Sequence, residues 1–277
     1  MIVRTAPARG ICGCAELVFT RQGERTVMTR SRVEAPMAVI RPFALPQGGL
    51  LVQLLSLGPG LCGGDTMRLD VTAGPGTRVI VTTTAATRVM SMDPDISAEQ
   101  HVFLRAGVSS ALEYYPCITL PYPGSAFVQT IAADAADGAR VGLLECWGMG
   151  RAARSEYLQF RSLSSRTTVS IDGVVRYADA IHLDPQATDL ASVALLAGRR
   201  YVAAGVWSGV TLGEETTSGG AIQSDPLVAF AQSAPGFAYL RAIGHDGPSV
   251  DAALHASVDR VSRCWGLPGV RLDRFHS

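Results

Sequence analysis

Gly58-Pro59-Gly60-Leu61-Cys62-Gly63-Gly64-Asp65 lies between two apolar runs, Gly49-Leu50-Leu51-Val52-Gln53-Leu54-Leu55 before it and Thr66-Met67-Arg68-Leu69-Asp70-Val71 after it. Four glycines and a proline in eight residues exclude a helix or an uninterrupted central strand there. Glycine admits positive φ and close approach of other backbone, so the stretch reads as a tight, crowded turn between strands. It delivers a carboxylate, Asp65, to the start of the next strand. On composition alone the turn is structural, its Asp bonded to nearby backbone amides. It is not a phosphate loop, because Gly-x-x-x-x-Gly-Lys-[Ser/Thr] is missing and the chain contains no lysine.

The same alternation of apolar run and turn extends along most of the chain. Ala15 to Thr20 and Arg25 to Arg30 flank Gln22-Gly23-Glu24 as a hairpin, and Met37 to Arg41 is stopped by Pro42. Thr66 to Thr72 ends at Gly74-Pro75-Gly76, and Thr77 to Thr87 is rich in Val, Ile and Thr, which suit a pleated surface. Gln100 to Arg105, Ala111 to Tyr115, Ser125 to Ile131, Arg140 to Glu145 and Tyr157 to Leu163 continue the pattern. Thr167 to Ile171 and Val174 to Tyr177 flank Asp172-Gly173, a strong hairpin pair. Strands recurring about every 10 to 15 residues up to about position 180 predict an all-β sandwich, barrel or superhelix, not βαβ units. Beyond Asp184-Pro185 the character is mixed. Thr188 to Ala197 could form a helix, and Tyr201 to Gly220 reads as either strand or loop. Val250, Leu254, Val258, Val261 and Trp265 form one helical stripe, with Pro248 before it and Gly266 after it, which predicts a helix over 249–265 lying against the sheet. No linker divides the chain, so residues 1–277 are read as one domain, β-rich over 1–183 and mixed over 184–277.

Composition narrows the function classes. The 277 residues are 47% hydrophobic and 17% charged, an ordered globular composition with enough chain for a sizeable core. With 24 basic and 24 acidic residues the formal net charge is zero, so nucleic acid and anionic membrane are not the expected partners. Six cysteines (12, 14, 62, 117, 146 and 264) form no repeated framework and are read as reduced thiols. The N-terminal MIVRTAPARGICGC lacks the apolar run of an export signal, and no window is long enough to span a bilayer, so a soluble, cytoplasmic chain is expected.

Several residues could carry chemistry. Cys12 and Cys14, two apart, would share a strand face, either as the start of a soft-metal site or as two small buried packing residues. Cys62 could be a nucleophile with His101 or His182 as base, the basis of a hydrolase reading, but no elbow motif surrounds it. The carboxylates are more informative. Glu113 and Glu145 close apolar strands and Glu156 opens one, each beside a breaker or turn. Carboxylates at such borders are costly to bury unless paired with arginine or used as ligands, and Arg151 and Arg154 stand near enough in sequence to pair with Glu156.

Taken in order, these segments resemble the urease accessory protein family UreD, also called UreH. Arg41-Pro42-Phe43 comes first, followed by Gly58 to Asp65, which is similar to that family's glycine-rich GGD segment. Thr82-Thr83-Thr84-Ala85-Ala86-Thr87-Arg88 is similar to its Thr-Thr-Gln-Ala-Ala-Thr-Lys stretch, Leu112-Glu113-Tyr114-Tyr115-Pro116 to its Leu-Glu-Tyr-Leu-Pro, and Gly150-Arg151 to Glu156 to its Gly-Arg…Gly-Glu. Arg241-Ala242-Ile243-Gly244, the terminal helix and Trp265 complete the order.

The resemblance implies a mainly β, two-layered β-superhelical single domain with a few C-terminal α-helices. It implies a non-enzymatic metallochaperone that binds a UreF-type accessory protein, in a 2:2 assembly around a UreF dimer, with a UreG-type GTPase and the urease apoprotein. Nickel would pass transiently along an internal tunnel, with no tightly bound cofactor. Asp65, Glu113, Glu145 and Glu156 become the candidates for that path. Thr82, Thr83, Thr84, Cys62 and Arg151 become candidates for its lining or for partner contact. Weakly held oxygen ligands suit a borderline cation in transit. The chain departs from the family pattern at Pro59, Cys62, Thr84, Arg88, Cys117 and Ser155. A bridge between the same partners without an ion path is the alternative.

Overall fold

The computed structural model describes residues 10–212, 218–219, 225–234 and 236–272. In chain order the strands begin with β1 (Cys12–Gln22), β2 (Arg25–Glu34), β3 (Met37–Val39), β4 (Phe43–Ala44), β5 (Leu50–Ser56) and β6 (Thr66–Ala73). They continue with β7 (Arg78–Thr83), β8 (Thr87–Val89), β9 (Ala98–Ala106), β10 (Ala111–Tyr115), β11 (Thr119–Pro121), β12 (Ala126–Ala135) and β13 (Arg140–Gly148). After these come β14 (Ser162–Ile171), β15 (Val174–Leu183), β16 (Tyr201–Val210), β17 (Ser218–Gly219), β18 (Leu227–Ala234) and β19 (Gly236–Gly244), and the chain closes with α1 (Gly247–Cys264).

The strands form two layers, a seven-stranded sheet ordered β15-β14-β12-β9-β6-β1-β2 and a twelve-stranded sheet whose main path is β17-β18-β19-β16-β13-β10-β7-β5-β3. From β5 to β14 the chain alternates between them, so each coil adds one main strand to each layer, parallel to the last, with the short β8 and β11 as additions to the twelve-stranded sheet. Parallel neighbours need a long crossover; here the strand in the opposite layer supplies it, so no helix is required. This is the two-layered β-superhelix, a solenoid in one domain. A hairpin lies on each side of the parallel body, at β1–β2 and at β14–β15 around Asp172-Gly173, and the second turns the chain so that β16 runs antiparallel to β13.

The two sheets are built for different surroundings. In β6 Met67, Leu69, Val71 and Ala73 alternate with more exposed neighbours, the mark of a sheet with one wet face. In β7 and β10 nearly every residue is buried, because α1 and the following segment cover the outer face of that sheet. Leu17, Phe19, Val71, Val79, Leu104 and Leu143 fill the space between the layers. Trp207, Leu240, Val250, Leu254, Val258, Val261 and Trp265 fill the space under the helix.

Three expectations change. The stretch offered as a helix at 188–197 is a run of turns, since only Leu190 and Leu196 are buried in it and their spacing makes no helical stripe. Among the described residues α1 is therefore a single C-terminal helix instead of several. The expected strand at 157–163 begins only at Ser162, because Leu158 takes positive φ (57°) within a turn. Of the ambiguous 201–220 stretch, Tyr201–Val210 is strand, and residues 213–217 and 220 lie outside the described residues.

Candidate functional site

The Gly58–Asp65 turn carries the chain from one layer to the other, between β5 and β6. Gly60 has φ of 147°, and a Cβ there would stand 2.4 Å from the Arg88 carbonyl oxygen, which explains the glycine. Leu61 N–H donates to that same carbonyl (2.8 Å). Asp65 is 5% exposed. Its Oδ1 accepts from Ile11 N–H and its Oδ2 from Cys62 N–H, both at 2.7 Å, so both oxygens are engaged with backbone. Cys62 contributes its amide to this arrangement and leaves its side chain exposed.

Between this turn, the β7–β8 connection and the space between the layers lies a cavity of about 250 Å³. Gly58, Gly60 and Leu61 border it together with Thr83, Thr84 and Arg88, so the structure brings the glycine turn and the threonine stretch to one place. Met67 and Gln100 of the seven-stranded sheet and Tyr114 of the twelve-stranded sheet line it as well. Thr83 Oγ1 accepts from Cys117 N–H at 2.9 Å, whereas Thr82 turns away, donating to Tyr115 O at 2.6 Å.

Beyond the cavity, polar side chains continue between the layers. Gln100 Nε2 donates to the Tyr114 hydroxyl (3.2 Å). Gln100 is in register with Gln129, and Gln129 with Ser165, across β9, β12 and β14. Facing them from β13 is Glu145, 6% exposed. Its Oε1 accepts from Gln129 Nε2 (2.7 Å) and from Ser165 Oγ, and its Oε2 from Thr167 Oγ1 (2.6 Å). Burial pushes its carboxyl above the ordinary range, and the three donors pull only part of the way back. At the end of the seven-stranded sheet, Asp179 of β15 accepts from Arg241 Nη2 of β19 at 2.5 Å. Gln129, Ser165 and Thr167 were not singled out by sequence reading. Their signal was weak: polar residues at every second position of an otherwise apolar pattern.

The remaining carboxylates lie elsewhere. Glu113 points to the other face of its sheet, under the segment that follows α1. There it lies 3.5 Å from Arg78 Nε, and Arg78 Nη2 donates to Pro268 O at 2.9 Å. Burial raises the Glu113 carboxyl despite this arginine. Glu156 is held by Arg151 through two bonds, one of them 2.7 Å from Nε to Oε2, and this pairing pulls its carboxyl below the ordinary range. The Arg151 guanidinium also lies 3.9 Å from the centre of the Tyr122 ring.

Gly150 has φ of 104°, and a Cβ there would stand 2.2 Å from Glu156 O, so the turn closes only with glycine. Cys12 and Cys14 do share a face, but it is the outward one. Cys12 is exposed and Cys14 half-buried, which corrects the reading of two buried packing residues. Among the described residues no three His, Cys, Asp or Glu side chains are grouped to hold a metal ion, and no helix is long and apolar enough to cross a membrane.

A model of the family described as UreD urease accessory protein matches residues 12–274. "Urease accessory protein UreD" of Deinococcus radiodurans is 36% identical over 252 residues, covering 90% of this chain and 89% of that protein. "Urease accessory protein UreD 1" of a Synechococcus species is 34% identical over 265 residues, 95% of each chain. "Urease accessory protein UreD 2" of Streptomyces griseus is 33% identical over 177 residues, 62% of this chain and 60% of that one. With a match across almost its whole length, this chain belongs to the UreD family of urease accessory proteins.

Proposed function

We propose that this chain is a non-enzymatic maturation factor that docks, with a UreF-type accessory protein and a UreG-type GTPase, on the urease apoprotein in the cytoplasm. There it passes nickel toward the urease centre without retaining it. The observation that carries this reading is the buried carboxylate Glu145, placed between the layers with Gln129, Ser165 and Thr167 around it and in line with Gln100 and Tyr114 at the cavity. A borderline dication accepts carboxylate, hydroxyl and amide oxygens. Donors that already occupy Glu145 compete with the ion, which keeps the contact weak and release fast. Asp65 acts by holding the turn that borders the cavity. Glu113 and Glu156 act by fixing the C-terminal segment and the β13–β14 turn.

The absence of any three-ligand group among the described residues favours a second reading, a bridge between the same partners with no ion path. Co-expression of urease and the other accessory proteins with this chain, without it, or with Glu145→Gln separates the cases. Loss of urease nickel content and activity without the chain is expected, and equal values would sink the maturation role. A Glu145→Gln chain that still co-purifies with its partners yet loads less nickel supports the path. Full loading by that variant supports the bridge.

A further inference from the structure

The two layers do not end together. Tyr177 of β15 stacks on Tyr239 of β19 (ring centroids 5.4 Å apart), and Asp179 meets Arg241, so β15 lies opposite β19. The seven-stranded sheet stops at β15, whereas the other continues through β18 and β17. Register places Leu227, Ala229 and Ala231 of β18 on the same face as Ile243, Arg241 and Tyr239, the face turned toward the opposite layer. Among the described residues no strand lies opposite them, and Ala229 is exposed. The Ile243 side is closed by the 184–200 connection, through buried Leu190 and Leu196 and the Arg199–Asp225 pair. Val174 and Val175 of β15 are 51% and 57% exposed.

We infer that this notch is a strand-addition site for an extended, acidic segment of a partner protein. The segment pairs with the free edge of β15 and seats small apolar side chains on Ala229 and Ala231. A bulge between Val169 and Ser170 interrupts the β14–β15 register, so regular pairing is confined to Tyr177–Leu183. A second copy does not fit: pairing its own β15 here would bring its β19 into the place β18 occupies. The slot takes a lone strand. Its charge preference follows from Arg176, exposed in the bulge at one end of the paired stretch, and Arg166, exposed on the outward face of β14 behind Ala180. The outward face of β14 and the regular outward row of β15 carry no acidic residue, and Asp184, just past β15, is engaged with the Gln186 and Ala187 amides. Long arginine side chains beside the incoming strand favour aspartate or glutamate on its outward face. The inference does not depend on what passes between the layers.

Hydrogen–deuterium exchange of the full chain, with and without a short synthetic peptide alternating glutamate and valine, tests it. Slowed exchange at the Tyr177–Leu183 amides is expected. Arg166→Glu with Arg176→Glu should weaken binding about fivefold at low salt, and a peptide alternating lysine and valine should recover it. No protection, protection elsewhere, or equal affinity for both peptides in both proteins would overturn the proposal. Protection of β15 that grows with protein concentration alone would assign the edge to a second copy and overturn it too.

Discussion

Glu145 is a carboxylate whose charge the fold both opposes and supports, since burial raises its affinity for a proton while three donors favour the ion. The sign of its effect on stability follows. A folded-state value above the ordinary 4.5 means that the folded chain binds the proton more tightly, so this group's contribution falls as pH rises from about 4.5 through the raised value. Glu145→Gln removes that dependence, and melting temperatures measured from acid to neutral pH should decline less for the variant than for the parent. Parallel curves would contradict the account. Ser155 offers a second test. It sits at φ of 57°, in the left-handed region that favours glycine, directly before Glu156 of the Arg151–Glu156 pair. Ser155→Gly should relieve about 1 kcal/mol of strain, less the extra chain entropy of glycine. Thermal unfolding should shift upward by about 1–3 °C, and a downward shift would contradict the strain argument.

Helix α1 depends on its first turn as well as on its apolar stripe. Asp246 accepts from Ser249 N–H (2.8 Å), and its carboxyl is drawn below the ordinary range by the Ser249 hydroxyl and then by that backbone contact. Pro248 occupies an early position where its missing N–H costs nothing. Asp246→Ala should lower the melting temperature by about 2–4 °C, with the loss appearing as faster amide exchange over 247–252 and little change in β16 or β19. An equal loss across the sheet would place the cap's role elsewhere. The strands differ in how they are held. The twelve-stranded sheet is apolar on both faces because α1 and the segment after it cover the outer one, with Trp265 Nε1 donating to Ser208 O (3.1 Å) and Arg140 Nη1 to Trp265 O (2.6 Å). The seven-stranded sheet presents its outer face to water, where Arg30–Glu16, Arg32–Glu34 and Arg68–Asp70 pair across or along strands. Such exposed pairs contribute little to stability and mainly keep the face soluble.

Taken together, the two layers form a shell with an apolar core, one polar line through it and a notch at one end. A buried polar network is tolerated only when every member is satisfied, and the three donors on Glu145 meet that requirement. Much of this was legible in the chain. Period-two alternation, the glycine turns, both hairpins and the helical stripe from Val250 to Trp265 are local signals, and each needs only a residue's near neighbours to be read. The ordered motifs likewise pointed to the family. What could not be read was the facing of the carboxylates. Asp65, Glu113, Glu145 and Glu156 look alike in sequence, each beside a turn at a strand border, yet they end in a backbone turn, under the C-terminal segment, between the layers and in an arginine pair. Facing is set by register between strands far apart in the chain, and one residue of slip exchanges the two sides of a strand. Glu113 and Glu145 therefore separate only when β7, β10, β13 and β14 are packed, because long-range pairing, not local propensity, fixes which side of the sheet each residue faces.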